Sequence, residues 1–198
     1  EALVIHVSTF QDVQEAWEFL YRGFQTGKMH TPSTSIDSAT GAAKTVFAPT
    51  AEPFDFETVV LDSFSDIFRK VKGEVTQRSY RRAHAKFQAS NPGRAYEEPE
   101  VTSMQDWGIL QDKCIALLQS FRDLPANFLC IFGIDEREES GATSYRPALQ
   151  GRGLQSALVG FFNAFGYMYR SVVADAGDQP KVVRQVMFLG GEEYTTKP

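Results

Sequence analysis

The sequence predicts an α/β fold with a mainly parallel central sheet flanked by helices and a C-terminal antiparallel hairpin. Three observations predict it. Thr58-Val59-Val60-Leu61-Asp62-Ser63 and the stretch 127–134 are short, continuous apolar runs, the pattern of strands buried on both faces. Apolar residues at helical spacing precede each of them, so strands and helices alternate. Near the end, 164–173 and 182–189 look like strands joined by the tight polar turn 174–181.

Bulk properties narrow the class. A chain of 198 residues suits one domain with a real core, here with 69–104 as a basic helix-loop insertion. The composition is globular, 42% hydrophobic and 23% charged. A net charge of −5 argues against wholesale coating of nucleic acid but leaves room for a local basic patch. Cys114 and Cys130 each sit in an apolar run, which reads as buried free thiols in a reducing setting. No run approaches membrane-spanning length and no signal pattern opens the chain, so a cytoplasmic protein with no membrane partner is expected.

Each element has its own signal. Leu3-Val4-Ile5-His6-Val7 is strand-like, and a chain that opens inside a strand suggests further sequence upstream. Thr9 with Asp12 makes a capping box, and Val13, Ala16, Trp17, Leu20 and Phe24 follow at helical spacing. A helix over 10–22 results, loosened at its end by Gly23 and Gly27. Residues 28–56 hold Pro32, Pro49 and Pro53 among Ser, Thr and Ala, which reads as loop or hairpin. A strand over 57–62 precedes a helix begun by Phe64, Ile67, Phe68 and Val71. Ser103 with Asp106 opens a second capped helix running to about residue 122. Pro125 ends the turn before the strand 127–134, which exits into Asp135-Glu136-Arg137-Glu138-Glu139. A polar loop over 140–153 and a short helix over 154–162 complete the order.

The chemistry starts at Asp62. Buried strands do not normally finish on a carboxylate, and the carboxyl edge of an open α/β sheet is where ligands bind. In nucleotide hydrolases this position is the Walker B acid, which orients Mg²⁺-bound water beside the phosphates. The structural alternative is an acid capping the following helix. A phosphate loop, G-x-x-x-x-G-K-[ST], is missing; Gly41-Ala42-Ala43-Lys44-Thr45 lacks the glycine directly before the lysine and has no strand ahead of it.

The second feature is 69–94, where Arg69, Lys70, Lys72, Arg78, Arg81, Arg82, Lys86 and Arg94 face the single acid Glu74. It reads as a solvated helix-loop or as a nucleic-acid or subunit contact, with Arg78, Arg81, Arg82 and Lys86 holding phosphates while Tyr80, His84 and Phe87 stack bases. Other chemistries lack their patterns. His6, His30 and His84 have no zinc spacing, no G-x-S-x-G elbow is present, and neither cysteine has a histidine beside it. The acids at 135–139 read as a solvated loop, and Trp17 and Trp107 as core.

In order and spacing, Phe56 to Ser63, Gln105-Asp106-Trp107-Gly108-Ile109-Leu110, Leu124-Pro125-Ala126-Asn127, Arg146-Pro147-Ala148-Leu149-Gln150-Gly151 and the closing Tyr194-Thr195-Thr196-Lys197 resemble the phage-encoded nucleotide-binding ATPases of the RecA-like P-loop class. The resemblance runs from Val4 onward. It implies a RecA-like core, ATP and Mg²⁺ as cofactors, and a role in phage DNA recombination or single-strand annealing in the bacterial cytoplasm. Single-stranded DNA and either like subunits or phage recombination proteins are the implied partners. It makes Asp62 the acid that holds Mg²⁺ through water and Ser63 the hydroxyl that follows it, the catalytic pair of this chain. The sensor position falls at 133–136, where Asp135 and Glu136 replace the amide or hydroxyl that would feel a γ-phosphate. Arg146, Arg152, Arg184 and Lys197 are candidates for a neighbour's cation at the γ-phosphate, against a default of surface ion pairing. The family's phosphate loop and its second strand, with the acidic base, would precede Glu1. These 198 residues alone are therefore expected to hydrolyse little or no ATP. The alternative is a degenerate, non-catalytic fold that binds nucleic acid or protein. A third reading, a metal-dependent hydrolase using Asp62 and Asp135, lacks histidines or further spaced acids.

Overall fold

A computed structural model describes residues 2–38, 41–96, 103–139, 142–173 and 181–188. The chain divides into two compact units, Glu1–Ile131 and Phe132–Pro198. Both mix helices with small sheets, and three of the four two-stranded sheets among the described residues are antiparallel.

The first unit opens on helix α1 (Phe10–Thr26). Its capping box forms as the spacing predicts: the Thr9 hydroxyl accepts from the Asp12 amide at 3.1 Å, and the Asp12 carboxylate accepts from the Ser8 and Thr9 amides at 2.8 and 2.9 Å. These amides hold the Asp12 carboxyl below its ordinary pKa. The helix runs four residues beyond the expected end because Gly23 does not loosen it. A Cβ there would run into the Phe54 ring, so glycine is what lets that ring lie against the helix. Gly27, with φ 65°, is the left-handed cap that stops it.

Strands β1 (Lys28–Ile36) and β2 (Ala43–Pro53) form an antiparallel hairpin, with Ile36 opposite Ala43. Its base folds onto α1 through Phe19, Phe47 and Phe54, with Leu20, Phe24, Met29 and Phe56 packed around them. The Phe54 ring lies 4.9 Å from Phe24 and 5.0 Å from Phe56, both edge-on.

Strand β3 (Thr58–Leu61) leads into helix α2 (Phe64–Ser90), and helix α3 (Met104–Arg122) returns the chain to strand β4 (Asn127–Cys130). β3 and β4 are parallel, with Val59 opposite Phe128 and Leu61 opposite Cys130. A parallel neighbour requires such a crossover. Phe64, Val71, Leu110, Cys114 and Leu118 are at most 1% exposed and fill the interior of this unit. Each such aliphatic or aromatic side chain contributes about 1.5–3 kcal/mol on burial. Polar ties lock the helices together: Trp17 donates from Nε1 to the Ser120 carbonyl at 2.9 Å, and Lys113 pairs with Glu74 at 2.9 Å while lying over the Phe10 ring.

The second unit holds an antiparallel hairpin of β5 (Ile134–Glu139) and β6 (Ala142–Pro147), helix α4 (Arg152–Phe161), and a hairpin of β7 (Tyr167–Val173) and β8 (Lys181–Met187). Leu149, Leu154 and Leu158 are buried. Gln155 donates to the Pro147 and Leu149 carbonyls at 3.2 and 2.7 Å, fixing α4 to the end of β6.

Several expectations are corrected. Residues 3–7 have no regular secondary structure, because a β-branched run becomes a strand only where a neighbour offers its amides and carbonyls. The expected strand over 127–134 stops at Cys130, and Ile134 begins an antiparallel strand instead. Residues 142–147, taken as polar loop, are that strand's partner. The mainly parallel central sheet is thus reduced, among the described residues, to the single pair β3–β4. That pair is not buried on both faces: Val59 and Leu61 point inward, while Val60 and Leu129 are each 53% exposed. The basic segment begins within α2, whose last residue is Ser90. Among the described residues no helix is long and apolar enough to cross a membrane.

Asp106 gives a pH test of the second cap. It is buried, accepts from the Ser103 hydroxyl at 2.7 Å and the Ser103 amide at 3.2 Å, and these bonds, with one from Ser79, lower its pKa against the opposing effect of burial. A carboxyl lowered in the folded state stabilises the protein above its unfolded pKa of about 3.9, and that stability is lost as pH falls through the folded value. Asp106→Asn should be less stable than the parent by about 1–2 kcal/mol at pH 7. In urea titrations the gap should narrow below about pH 4; a gap independent of pH would refute the assignment.

Candidate functional site

The carboxyl end of β3 is held by two backbone bonds. Ile131 donates its amide to the Leu61 carbonyl at 2.9 Å, and the Ile131 carbonyl accepts from the Phe64 amide at 2.8 Å. Between those anchors lie Asp62 and Ser63, joined by a cis peptide bond. Asp62 is exposed, and it has no hydrogen-bond or ion-pair partner among the described residues. It does not cap α2, since the N-cap position is Ser63. The Ser63 hydroxyl is engaged, donating to Asp66 Oδ2 at 2.9 Å, and Asp66 Oδ1 in turn pairs with Arg69 at 3.2 Å. The strand end therefore presents one solvated carboxylate and one hydroxyl tied into the first turn of the helix.

Beside Asp62 lies a recess of ≈ 160 Å³ lined mainly by apolar side chains, among them Leu3, Ile5, Val59, Leu61 and Ile67. That is below the roughly 300–1,000 Å³ of small-molecule sites, and its lining lacks cations for phosphate. Gly41–Thr45 supplies no cradle either. Gly41 turns with φ 69° and the chain enters β2 at Ala43, so a strand follows where a phosphate loop needs a helix N-terminus. Among the described residues no group of three or more His, Cys, Asp or Glu could hold a metal ion. One exposed carboxylate does suit Mg²⁺, which keeps several waters and takes most of its protein contact from one or two carboxylates. Among the described residues, Asp62 is thus a single solvated carboxylate with no phosphate cradle beside it.

The basic segment resolves into two faces of α2. Arg78, Arg81, Arg82 and Lys86 fall at helical spacing on one side, all exposed, and none has an ion-pair or hydrogen-bond partner among the described residues. At 1.5 Å per residue the stripe from 78 to 86 is about 12 Å long. Tyr80, His84 and Phe87 fall on the opposite side and pack on one another around Tyr96: its ring lies 5.5, 5.6 and 5.3 Å from theirs. The aromatics are spent on holding the chain back against the helix. The four cations stay exposed, while each of the three half-buried rings has contact committed to Tyr96. Trp107, expected in the core, lies under the Lys72 ammonium at 5.5 Å.

The remaining candidates scatter. Arg146 sits on β6 opposite Asp135, and Arg184 sits on β8 opposite Arg170. Arg152 is the first residue of α4, and Lys197 lies outside the described residues. Asp135 and Glu136, at the expected sensor position, belong to β5. Sequence reasoning missed the β5–β6 hairpin, although Ser140-Gly141, a turn-forming dipeptide between two extended runs, could have revealed it.

No family model, curated protein or solved structure matches the chain.

The two thiols are poor nucleophiles. Burial pushes Cys114 up to about 12, and burial likewise pushes Cys130 far above its ordinary range. Both should resist iodoacetamide at pH 8 in the native protein and react readily in denaturant. Rapid native modification of either would show that its site opens.

Proposed function

We propose that this chain is part of a RecA-like, nucleotide-dependent protein of phage type that acts on single-stranded DNA in recombination or annealing. The observation that carries the reading is Asp62, an exposed carboxylate with no partner among the described residues, at the carboxyl end of a parallel strand and just before a helix. Such an acid is positioned to hold a water of bound Mg²⁺. The open apolar face at Val60 and Leu129 supports the reading further, because parallel strands are normally covered on both sides, as in a larger RecA-like sheet. ATP with Mg²⁺ would supply the transferable phosphoryl group. Asp62 would orient the metal's water, and the Ser63 hydroxyl, held by Asp66, would keep the strand-to-helix turn in place. The phosphate cradle must come from a segment other than these 198 residues, which contain no G-x-x-x-x-G-K-[ST].

The stripe Arg78, Arg81, Arg82 and Lys86 is the proposed DNA contact. Four cations on a single strand give a log–log salt slope of up to about −3, with each cation removed taking off about 0.7. A second reading is favoured by the same stripe. A fold without nucleotide chemistry could use these exposed cations as a standing nucleic-acid dock.

One set of measurements separates the two. Binding of a fluorescent single-stranded oligonucleotide is titrated across a salt series, with and without Mg²⁺·ATP, alongside ATP turnover. Measured on a protein that also carries the phosphate-binding segment, the first reading expects nucleotide-dependent DNA binding and a loss of turnover of roughly a hundredfold in Asp62→Ala. In that same protein, DNA binding indifferent to nucleotide, with no turnover, selects the second. A salt slope unchanged in Arg78→Ala/Arg82→Ala would sink the stripe under either.

A further inference from the structure

The β7–β8 ribbon carries a charge arrangement that its own fold does not compensate. The register places Arg170 directly opposite Arg184, with Met168 opposite Val186 on one side and Val172 opposite Val182 on the other. Cross-strand partners share a face, and alternate residues along a strand return to it, so all six side chains project from the same surface. The four apolar ones are 47 to 67% exposed, both arginines are exposed, and neither arginine has an ion-pair or hydrogen-bond partner among the described residues. Directly opposed like charges with Cβ atoms about 5 Å apart destabilise a two-stranded ribbon. An exposed apolar frame around them adds a second unfavourable term in water. One kind of partner relieves both: a surface with two acids at matching separation and apolar groups beside them.

Strand β5 is such a surface. Ile134, Glu136 and Glu138 alternate onto one face, all three are exposed, and neither glutamate has an ion-pair or hydrogen-bond partner among the described residues. Carboxylates two residues apart on a strand start about 6.6 Å from each other, close to the spread of two opposed arginine stems.

We propose that the β7–β8 ribbon of one molecule docks the β5 face of a second copy, with Glu136 and Glu138 of that copy taking one guanidinium each. Arg–carboxylate pairs are among the stronger and more directional contacts available, and covering the apolar frame excludes water from them. The contact joins two different patches, so it is head-to-tail and propagates into a ring or a filament. It rests on the second unit's residues alone and does not depend on nucleotide or DNA binding.

The test is sedimentation velocity across a concentration series at low and high salt, without nucleotide or DNA, with circular dichroism confirming that each variant is folded. The wild type should grow in mass beyond 22.1 kDa as concentration rises and dissociate in salt. Arg170→Glu/Arg184→Glu and Glu136→Arg/Glu138→Arg should each remain monomeric at concentrations where the wild type associates. Mixing those two variants should restore association, because every contact again joins opposite charges. A wild type that stays monomeric at every concentration overturns the proposal, as does association unaffected by either variant. Failure of the mixture to recover also overturns it. Salt-sensitive binding of the wild-type ribbon to anionic vesicles or oligonucleotide, without self-association, would assign the arginines to another partner and equally overturn it.

Discussion

The parallel pairing of Thr58–Leu61 with Asn127–Cys130 is the constraint on which the first unit depends. Parallel neighbours cannot be joined by a tight turn, so the chain must leave at Leu61, travel out along one helix and return along another. α2 and α3 are that excursion. Their packing buries Phe64, Val71, Cys114 and Leu118. The same crossover fixes where chemistry can occur. Strand β3 has to end beside β4, and the amide and carbonyl of Ile131 tie both sides of the turn. Among the described residues, none pairs with Asp62 at that edge.

Charge in this molecule is arranged against its overall sign. The chain carries −5, yet the described residues present cations that find no acid: the stripe on α2 and the opposed pair on β7–β8. Elsewhere the same residue types are paired locally, as in Arg22 with Glu18 and Arg122 with Asp123. Exposed pairs of that kind stabilise by less than about 1 kcal/mol, so their absence elsewhere leaves folding intact. What it changes is the surface potential, and local excess positive charge attracts anionic partners. The aromatic side of α2 shows the complementary economy. Tyr80, His84, Phe87 and Tyr96 pack on one another and leave the cations on the opposite, solvated face.

Legibility varied with how local the deciding interaction was. Both capping boxes were readable, because Thr9 with Asp12 and Ser103 with Asp106 complete their bonds within four residues. The C-terminal hairpin was readable because its two β-branched runs lie close together along the chain. The run at Leu3–Val7 was misread, since strand identity needs a partner that composition does not announce. Gly23 was misread as a weak point; only the arrival of Phe54 from thirty-one positions away shows it to be a packing site. At the candidate site, Asp62 was located correctly on its edge. Its lack of a partner, the engagement of Ser63 by Asp66 and the separation of cations from aromatics on α2 all required side-chain placement.

The sequence by itself determined the α/β character, the caps, the extents of α1, α3 and α4 to within a few residues, the buried setting of Cys114 and the acid at the end of β3. Those follow from periodicity and near-neighbour hydrogen bonding, which are written along the chain. Tertiary structure alone decided that β3 has an open apolar face and that residues 134–147 fold back as a hairpin rather than extend a parallel sheet. It also decided that Arg170 meets Arg184. Each of these depends on which backbone groups become neighbours across long separations. That choice is settled by the pairing of amides and carbonyls in three dimensions, not by the preferences of any one segment.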